Sequence, residues 1–452
     1  RQMCIRDRYL SVGAAIPTSV QGNTISNITQ TVSTAGYYGY LYGMYIIGGS
    51  VNVGNITPNI IGAATGTGAI TINNNGTITP AIYGIYCSAA APGVVNIQNN
   101  IIGSLQTSVA TPASYAAGIY GIYIASTASM TITGNTIGST TTANSINASS
   151  VALGAQPVYG ILASISNATL VNPVISNNTI ANINNASTAT TSFLAGINFN
   201  STSSPTISGN TIRNLTSACA STALVTQPSI AGILYTGSTG TPTISQNTIY
   251  TIANSNTTAI ASHVSGISFS SALNGIISGN KIYDLRNAST MNTALTPATA
   301  DGINLTAPST SVTLYNNMIS LGNSQSTNTS FTGIIASSAS AYTLKAYYNT
   351  INIEGAAPAA SVVHTSCFNR GTYANTAFAA PTVDLRNNIF KNSRGTGTGS
   401  HYAIGNCIGA TTSSAAGWAS AASNYNILNS ANTATVGYWT GAKTIATWRT
   451  TA

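Results

Sequence analysis

The phrase PTISGNTIRNL at 205–215 returns as PTISQNTIYTI at 242–252 and as GIISGNKIYDL at 275–285. A chain that rewrites one phrase at a near-constant spacing, and varies it mainly at polar positions, is built from stacked copies of one unit. Aligned on the asparagine ahead of Thr-Ile or its equivalent, the copies fall at Asn135, Asn178, Asn210, Asn247, Asn280, Asn317, Asn349 and Asn388, between 32 and 43 residues apart. Weaker copies stand around Asn23, Asn59 and Asn100.

Each unit has a constant and a variable part. The constant part runs from a Gly-Ile pair to the apolar residue that follows the asparagine. It covers 196–215, 232–252, 266–285, 302–321 and 333–353, always 20 or 21 residues. The joins between these segments are 11 to 16 residues long and rich in Ser, Thr and Ala. Inside the constant part apolar residues alternate, as at Ile233 and Tyr235 or Ile303 and Leu305. That is the period of a pleated strand, and the abundant Ile and Thr favour it. Ser-Gly-Asn or Ser-Asn-Asn separates the strands, and Gly and Asn accept the left-handed backbone of a tight corner.

Such a rung cannot bury its own apolar side, so the rungs must stack as parallel strands. The expected fold is all-β, a parallel β-helix (solenoid) of roughly ten or eleven rungs with a loop inserted at one corner of each. Ile207 and Ile212 are expected to point inward. Asn210 and its seven equivalents form a structural ladder at the corner, their amides bonding rung to rung. The other reading of that column is a polar stripe for ligands. The segments YYGYLYGMY (37–45), YGIYC (83–87) and YGIY (120–123) are expected to stack as an aromatic column. Were it to face outward, it would offer a surface to glycans.

Charged residues make up 4% of the chain and hydrophobic ones 43%. Disorder combines low hydrophobicity with high charge, so this text folds. No apolar run approaches the roughly 18 residues of a membrane helix, so no membrane span is expected. The net charge is +8, but the opening octet RQMCIRDR holds three of the 13 basic residues and one of the five acids. Its composition is foreign to the rest, and residues 1–8 are set aside as a non-native, adapter-like segment. The remaining +6 is scattered and forms no basic patch, which excludes a nucleic-acid partner.

Carbohydrate-active β-helices need converging carboxylates, often around calcium. Outside the octet the acids are Asp284, Asp301, Glu354 and Asp384, each in a different repeat. His263, His364 and His401 have no second ligand at metal spacing and read as surface or loop histidines. There is no nucleophile elbow or phosphate loop. No catalytic residue, cofactor or metal site is therefore assigned. Asn256 falls in a join and is expected to be a loop residue. Cys87, Cys219, Cys367 and Cys407 form no CxxC pair. Cys367 and Cys407, 40 residues or about one repeat apart, are a candidate disulfide between neighbouring rungs.

The segment downstream differs: Trp418, Trp439 and Trp448 all lie beyond residue 410. LRNNIFKNSRGTGTGSHYAI (385–404), SNYNIL (423–428) and TIATWRTTA (444–452) resemble the closing part of large secreted right-handed β-helix proteins. These are the surface proteins exported by type IX secretion in gliding-type Gram-negative bacteria. The resemblance implies right-handed coils, export and a role at the cell surface, and it implies no catalytic residues. It divides the chain into repeats over 9–395 and terminal rungs with a Trp-containing segment over 396–452, truncated in mid-motif. The resulting expectation is a secreted or cell-surface, non-catalytic stalk or adhesin segment whose partners are surface glycans or other cell-surface proteins. One alternative is a carbohydrate-active β-helix enzyme, a polysaccharide lyase or hydrolase with its site in missing sequence. A second is an ice-binding solenoid, from the Thr column at Thr206 and Thr243, although Val174, Ile276 and Tyr315 break that column.

Overall fold

The copies of the repeat feed three parallel sheets, one strand from each copy to a sheet in most coils and two to the third sheet in the early ones. The Gly-Ile pair lies in the first, as in Phe193–Ser201, and Thr-Ile-Ser forms the second, as in Thr206–Ser208. The third follows the asparagine, as in Thr211–Ser217, and the variable join leads on to the next coil. The computed structural model describes residues 5–33, 39–76, 78–109, 116–150, 154–165, 172–223, 227–270, 274–306, 308, 310–338, 341–371, 381–408, 417–418 and 423–451. Strand partners in the repeats are parallel and in register, for example Thr179↔Thr211 and Ile180↔Ile212. The parallel β-solenoid read from the repeat is thus the fold, with about 10 turns.

The chain divides into two compact units, Arg1–Ser221 with Gly232–Gly240, and Thr222–Ala231 with Thr241–Ala452. In the first unit the backbone of Ile5–Ser11, which overlaps the octet set aside above, pairs in parallel with Tyr40–Gly48. In the second unit, strand Gly437–Trp439 pairs antiparallel with Ala442–Lys443. There the helix Ile445–Thr451 lays Trp448 over Gly437, where a Cβ would meet the indole at 2.4 Å. Trp418, Trp439 and Trp448 form one cluster, with ring centroids 5.5 to 5.7 Å apart.

The repeated phrase encodes the cross-section. Ile207 and Ile212 are fully buried, as are their counterparts Ile244, Ile249, Ile277 and Ile282. The glycine of each Gly-Ile pair is where the third sheet approaches the first. A Cβ at Gly160 would lie 2.6 Å from Cγ2 of Ile180, and one at Gly266 2.5 Å from that of Ile282. Only glycine leaves room for that isoleucine. Ahead of the ladder asparagine the backbone turns left-handed, with φ of 65° at Gly209, 55° at Asn177 and 56° at Asn316. Gly or Asn fills that position at six of the eight corners, while Gln246 (φ 57°) and Tyr348 (φ 56°) hold the same backbone at the other two.

Candidate functional site

The eight asparagines picked out by the repeat are all buried at the corners. Within each unit they form a ladder. Asn135 donates from its backbone N (3.0 Å) and from Nδ2 (2.9 Å) to Oδ1 of Asn178, and Asn178 does the same to Asn210 at 3.0 and 2.9 Å. Nδ2 of Asn135 also reaches back to the Ile97 carbonyl at 2.9 Å. Asn23, Asn59 and Asn100 begin the ladder in the first unit. In the second unit, Asn247, Asn280, Asn317, Asn349 and Asn388 repeat the pattern, and it extends to Asn426. Asn426 sits in SNYNIL, where the missing Thr-Ile concealed it. With both amide atoms engaged and the side chains buried at all but the end members Asn23 and Asn426, this column binds coil to coil.

A second asparagine column escaped the sequence reading. Asn185 donates to the carbonyls of Gln156 (2.8 Å) and Phe193 (3.1 Å), and Asn287 to those of Ser262 (2.9 Å) and Thr299 (3.0 Å). These amides tie the end of the third strand to the start of the next coil's first. The signal was present, since Asn185, Asn254 and Asn287 each stand seven residues after a ladder asparagine.

The carboxylates do not converge. Asp284 binds Arg286 Nε at 2.7 Å, and it accepts the Thr251 hydroxyl at 2.9 Å. It occupies a left-handed kink in its strand, φ 54°. Asp384 binds Arg386 at 2.7 Å and accepts the Tyr347 hydroxyl at 2.7 Å. Glu354 accepts the Asn352 amide at 2.6 Å. Asp284 and Glu354 are separated by the intervening strand Met318–Leu321, about 10 Å in all at the usual strand spacing. Among the described residues no group of three His, Cys, Asp or Glu side chains is placed to hold a metal.

Two histidines depart from expectation. His263 and His401 are buried in first-sheet strands, not in surface loops. His263 Nδ1 lies 2.8 Å from the Thr299 hydroxyl, which donates to Asp301 Oδ2 at 2.9 Å. Burial lowers the His263 pKa to about 4 and raises that of Asp301 to about 7, the hydroxyls of Thr299 and Thr332 pulling the latter partly back. A raised carboxyl pKa means that the folded state holds its proton longer than the unfolded chain. The Asp301 contribution to stability is therefore full below about pH 4 and is lost as pH rises through 7. A depressed His263 pKa acts oppositely between pH 6.5 and about 4, so the net decline is concentrated above pH 6. Asp301→Asn is expected to raise the urea midpoint markedly at pH 8.5 and far less at pH 4, where the unfolded carboxyl is still half protonated. An equal change at both pH values would contradict this assignment.

The candidate disulfide is corrected. Cys367 and Cys407 are both free and buried. The register Ser366↔Tyr402 and Phe368↔Ile404 sets Cys367 opposite Ala403, whereas Cys407 packs against Gly371. Four strand positions, about 13 Å, separate the two thiols' rows, beyond the reach of a disulfide. Burial raises both thiol pKa values, and the Arg370 guanidinium pulls that of Cys407 partly back.

The tyrosine segments do stack, on the outward side of the first unit's first sheet; Tyr37 and Tyr38 lie outside the described residues. Tyr42, Tyr83, Tyr120 and Tyr159 follow one another at 4.9, 4.7 and 5.2 Å with nearly parallel rings. Tyr45, Tyr86 and Tyr123 run beside them edge to face at 4.9 and 5.1 Å. All but Tyr159 are half-exposed. A groove of ≈ 230 Å³ borders the column between Tyr40, Tyr83, Tyr120, Pro80 and Pro157. Burial, with the neighbouring rings, raises the hydroxyl pKa values of Tyr83 and Tyr120, so both stay protonated at neutral pH. The rings cover one another's faces, and the stripe presents edges and hydroxyls.

A larger groove, ≈ 510 Å³, lies on the outward side of the second unit's third sheet. Its floor is Met318, Ser320, Thr350 and Asn352, and its walls include Lys281, Tyr283, Arg286 and Asn323. Tyr283, 39% exposed, stacks on Tyr250 at 4.8 Å and 8°. No family model, no curated protein and no solved structure matches the chain.

Proposed function

We propose that this β-solenoid is a non-catalytic stalk or adhesin segment, secreted or held at the cell surface, whose partners are surface glycans or other cell-surface proteins. The observation that carries the reading is where the polar side chains are spent. Asparagines hold coil to coil, while the four carboxylates outside the octet are engaged singly on separate rungs. Glycoside cleavage needs an acid and a base or nucleophile facing each other across one bond. Lyase chemistry needs a comparable convergence, commonly through a metal held by several oxygens. The half-exposed tyrosine stripe and the third-sheet groove supply surfaces suited to adhesion. The resemblance to type IX-exported surface proteins supports the location. The ice-binding reading finds less support, because Val174 stacks on Thr206 and Ile276 on Thr243, interrupting any flat threonine array.

Two measurements test the proposal. The purified chain, incubated with uronic-acid and neutral polysaccharides, is expected to release neither reducing ends nor unsaturated products. Cleavage abolished by Asp284→Asn or Asp301→Asn would overturn the non-catalytic reading. Antibody labelling of unpermeabilised source cells is expected to detect the chain at the surface, and labelling only after lysis would overturn the location.

A further inference from the structure

Strand register in the second unit's third sheet sets Tyr250, Tyr283, Ser320 and Asn352 in one outward column. The first two members are stacked rings. At the third, where the next ring would stand, the chain places a serine, and the space it leaves is the ≈ 510 Å³ groove. One face of Tyr283 therefore borders a gap one coil wide. We infer that this groove is a saccharide subsite, and that a sugar ring occupies the position of the absent third aromatic, its C–H face against Tyr283.

The charges around the gap narrow the ligand class. Lys281 lies on the groove wall, and Lys391 follows Asn352 in register on the next strand. Asp284 is neutralised by Arg286, with Nε–Oδ1 at 2.7 Å and Nη2–Oδ2 at 3.2 Å. Glu354 takes the Asn352 amide and does not line the groove. Lys281 and Arg286 line the groove against Asp284 alone, so the lining is net positive; Lys391, like Glu354, lies off it, and among the described residues neither lysine is in an ion pair. The ligand is an acidic saccharide, with one ring on Tyr283 and its carboxylate toward Lys281. Polar edges of the ring meet Ser320, Thr350 and Asn352. This deepens the glycan-contacting reading above and places contact at one groove, apart from the tyrosine stripe.

The test titrates the full chain with a uronate tetrasaccharide and with a neutral hexose tetrasaccharide, following tyrosine fluorescence and binding heat. The uronate oligomer is expected to bind more tightly, with affinity falling as salt is raised. Tyr283→Ala should weaken binding about tenfold. Lys281→Ala should weaken it and flatten the salt dependence. Ser320→Tyr should complete the aromatic column, abolish binding and leave the thermal midpoint unchanged or higher, which separates occlusion from unfolding. Binding that survives Ser320→Tyr overturns the inference, as does no binding of either probe at millimolar concentration. Equal affinity for both probes overturns the acidic class. Binding lost in Tyr86→Ala but kept in Tyr283→Ala overturns the groove and leaves the adhesin reading standing. Turnover of the bound probe would instead sink the non-catalytic reading while the groove stands.

Discussion

Asn317→Ala is expected to destabilise the second unit by about 3 kcal/mol, read as a lower urea midpoint. The Asn317 side chain accepts the backbone N (3.1 Å) and Nδ2 (2.9 Å) of Asn280, and it donates to Ile277 O (2.9 Å) and Asn349 Oδ1 (2.9 Å). Alanine removes all four bonds at a fully buried site. Each buried group left short is worth roughly 1 to 3 kcal/mol, and partial relaxation of the corner keeps the sum near the lower end. The effect should be local, because a solenoid coil depends mainly on its two neighbours. Amide exchange is expected to quicken first in Lys281–Asn287 and Met318–Leu321, the strands that follow the altered corners. Asn256 cannot serve as the neutral comparison that its place in a join suggested. It is buried, and its Oδ1 accepts the Thr258 N–H at 2.9 Å. Exposed Asn323 is the control, and Asn323→Ala should change stability by less than about 0.5 kcal/mol. Equal losses at Asn317 and Asn323 would show that the ladder is not what binds the coils.

The difference between Asn256 and Asn317 marks where the sequence stops being informative. Everything set by a repeated local constraint was legible. The inward Ile207 and Ile212, the left-handed corner before each ladder asparagine and the single variable join per coil all follow from alternation and from Gly-Asn chemistry. What was not legible depends on how the variable joins fold. Their Ser, Thr and Ala content does not reveal that His263 and His401 are buried in strands, or that Asp301 is desolvated enough to stay protonated near neutral pH.

Register is the second limit. Forty residues between Cys367 and Cys407 look like one repeat, but the count runs through joins of unequal length. Only strand pairing shows Cys367 opposite Ala403. The same applies to the third-sheet groove. Ser320 is unremarkable in the text, and its meaning appears only when Tyr250 and Tyr283 are seen in its column. Asp284 likewise read as a stray acid. Its place at a left-handed kink, bridged by Thr251 and Arg286, is a structural reason for a carboxylate there.

Arg394→Met is expected to lower stability by about 3 kcal/mol, although it removes a buried charge. Two terms oppose each other. The guanidinium is 1% exposed and has no carboxylate partner among the described residues, and burial lowers its pKa to about 10. That departure from 12.5 corresponds to a penalty on the order of 3 kcal/mol for keeping the charge, which methionine would relieve. Against it stand three charge-assisted bonds, from Nη1 to the carbonyls of Gln325 (3.3 Å) and Glu354 (3.2 Å) and from Nη2 to that of Thr327 (2.9 Å). The cation also lies 4.8 Å from the centroid of the Phe331 ring. Bonds to a charged group are worth about 1.5 to 3 kcal/mol each, so the three together exceed the burial penalty. Their removal also strands carbonyls from residues up to 69 positions away in sequence, in a join and at a strand end that Arg394 ties to its own coil. Arg394→Lys should recover little, since an ammonium is a point donor and cannot span three carbonyls in the fixed geometry of a guanidinium. If Arg394→Met melts at or above the temperature of the parent chain, the burial penalty has outweighed the bonds, and Arg394 is not the clamp for the 323–329 turn.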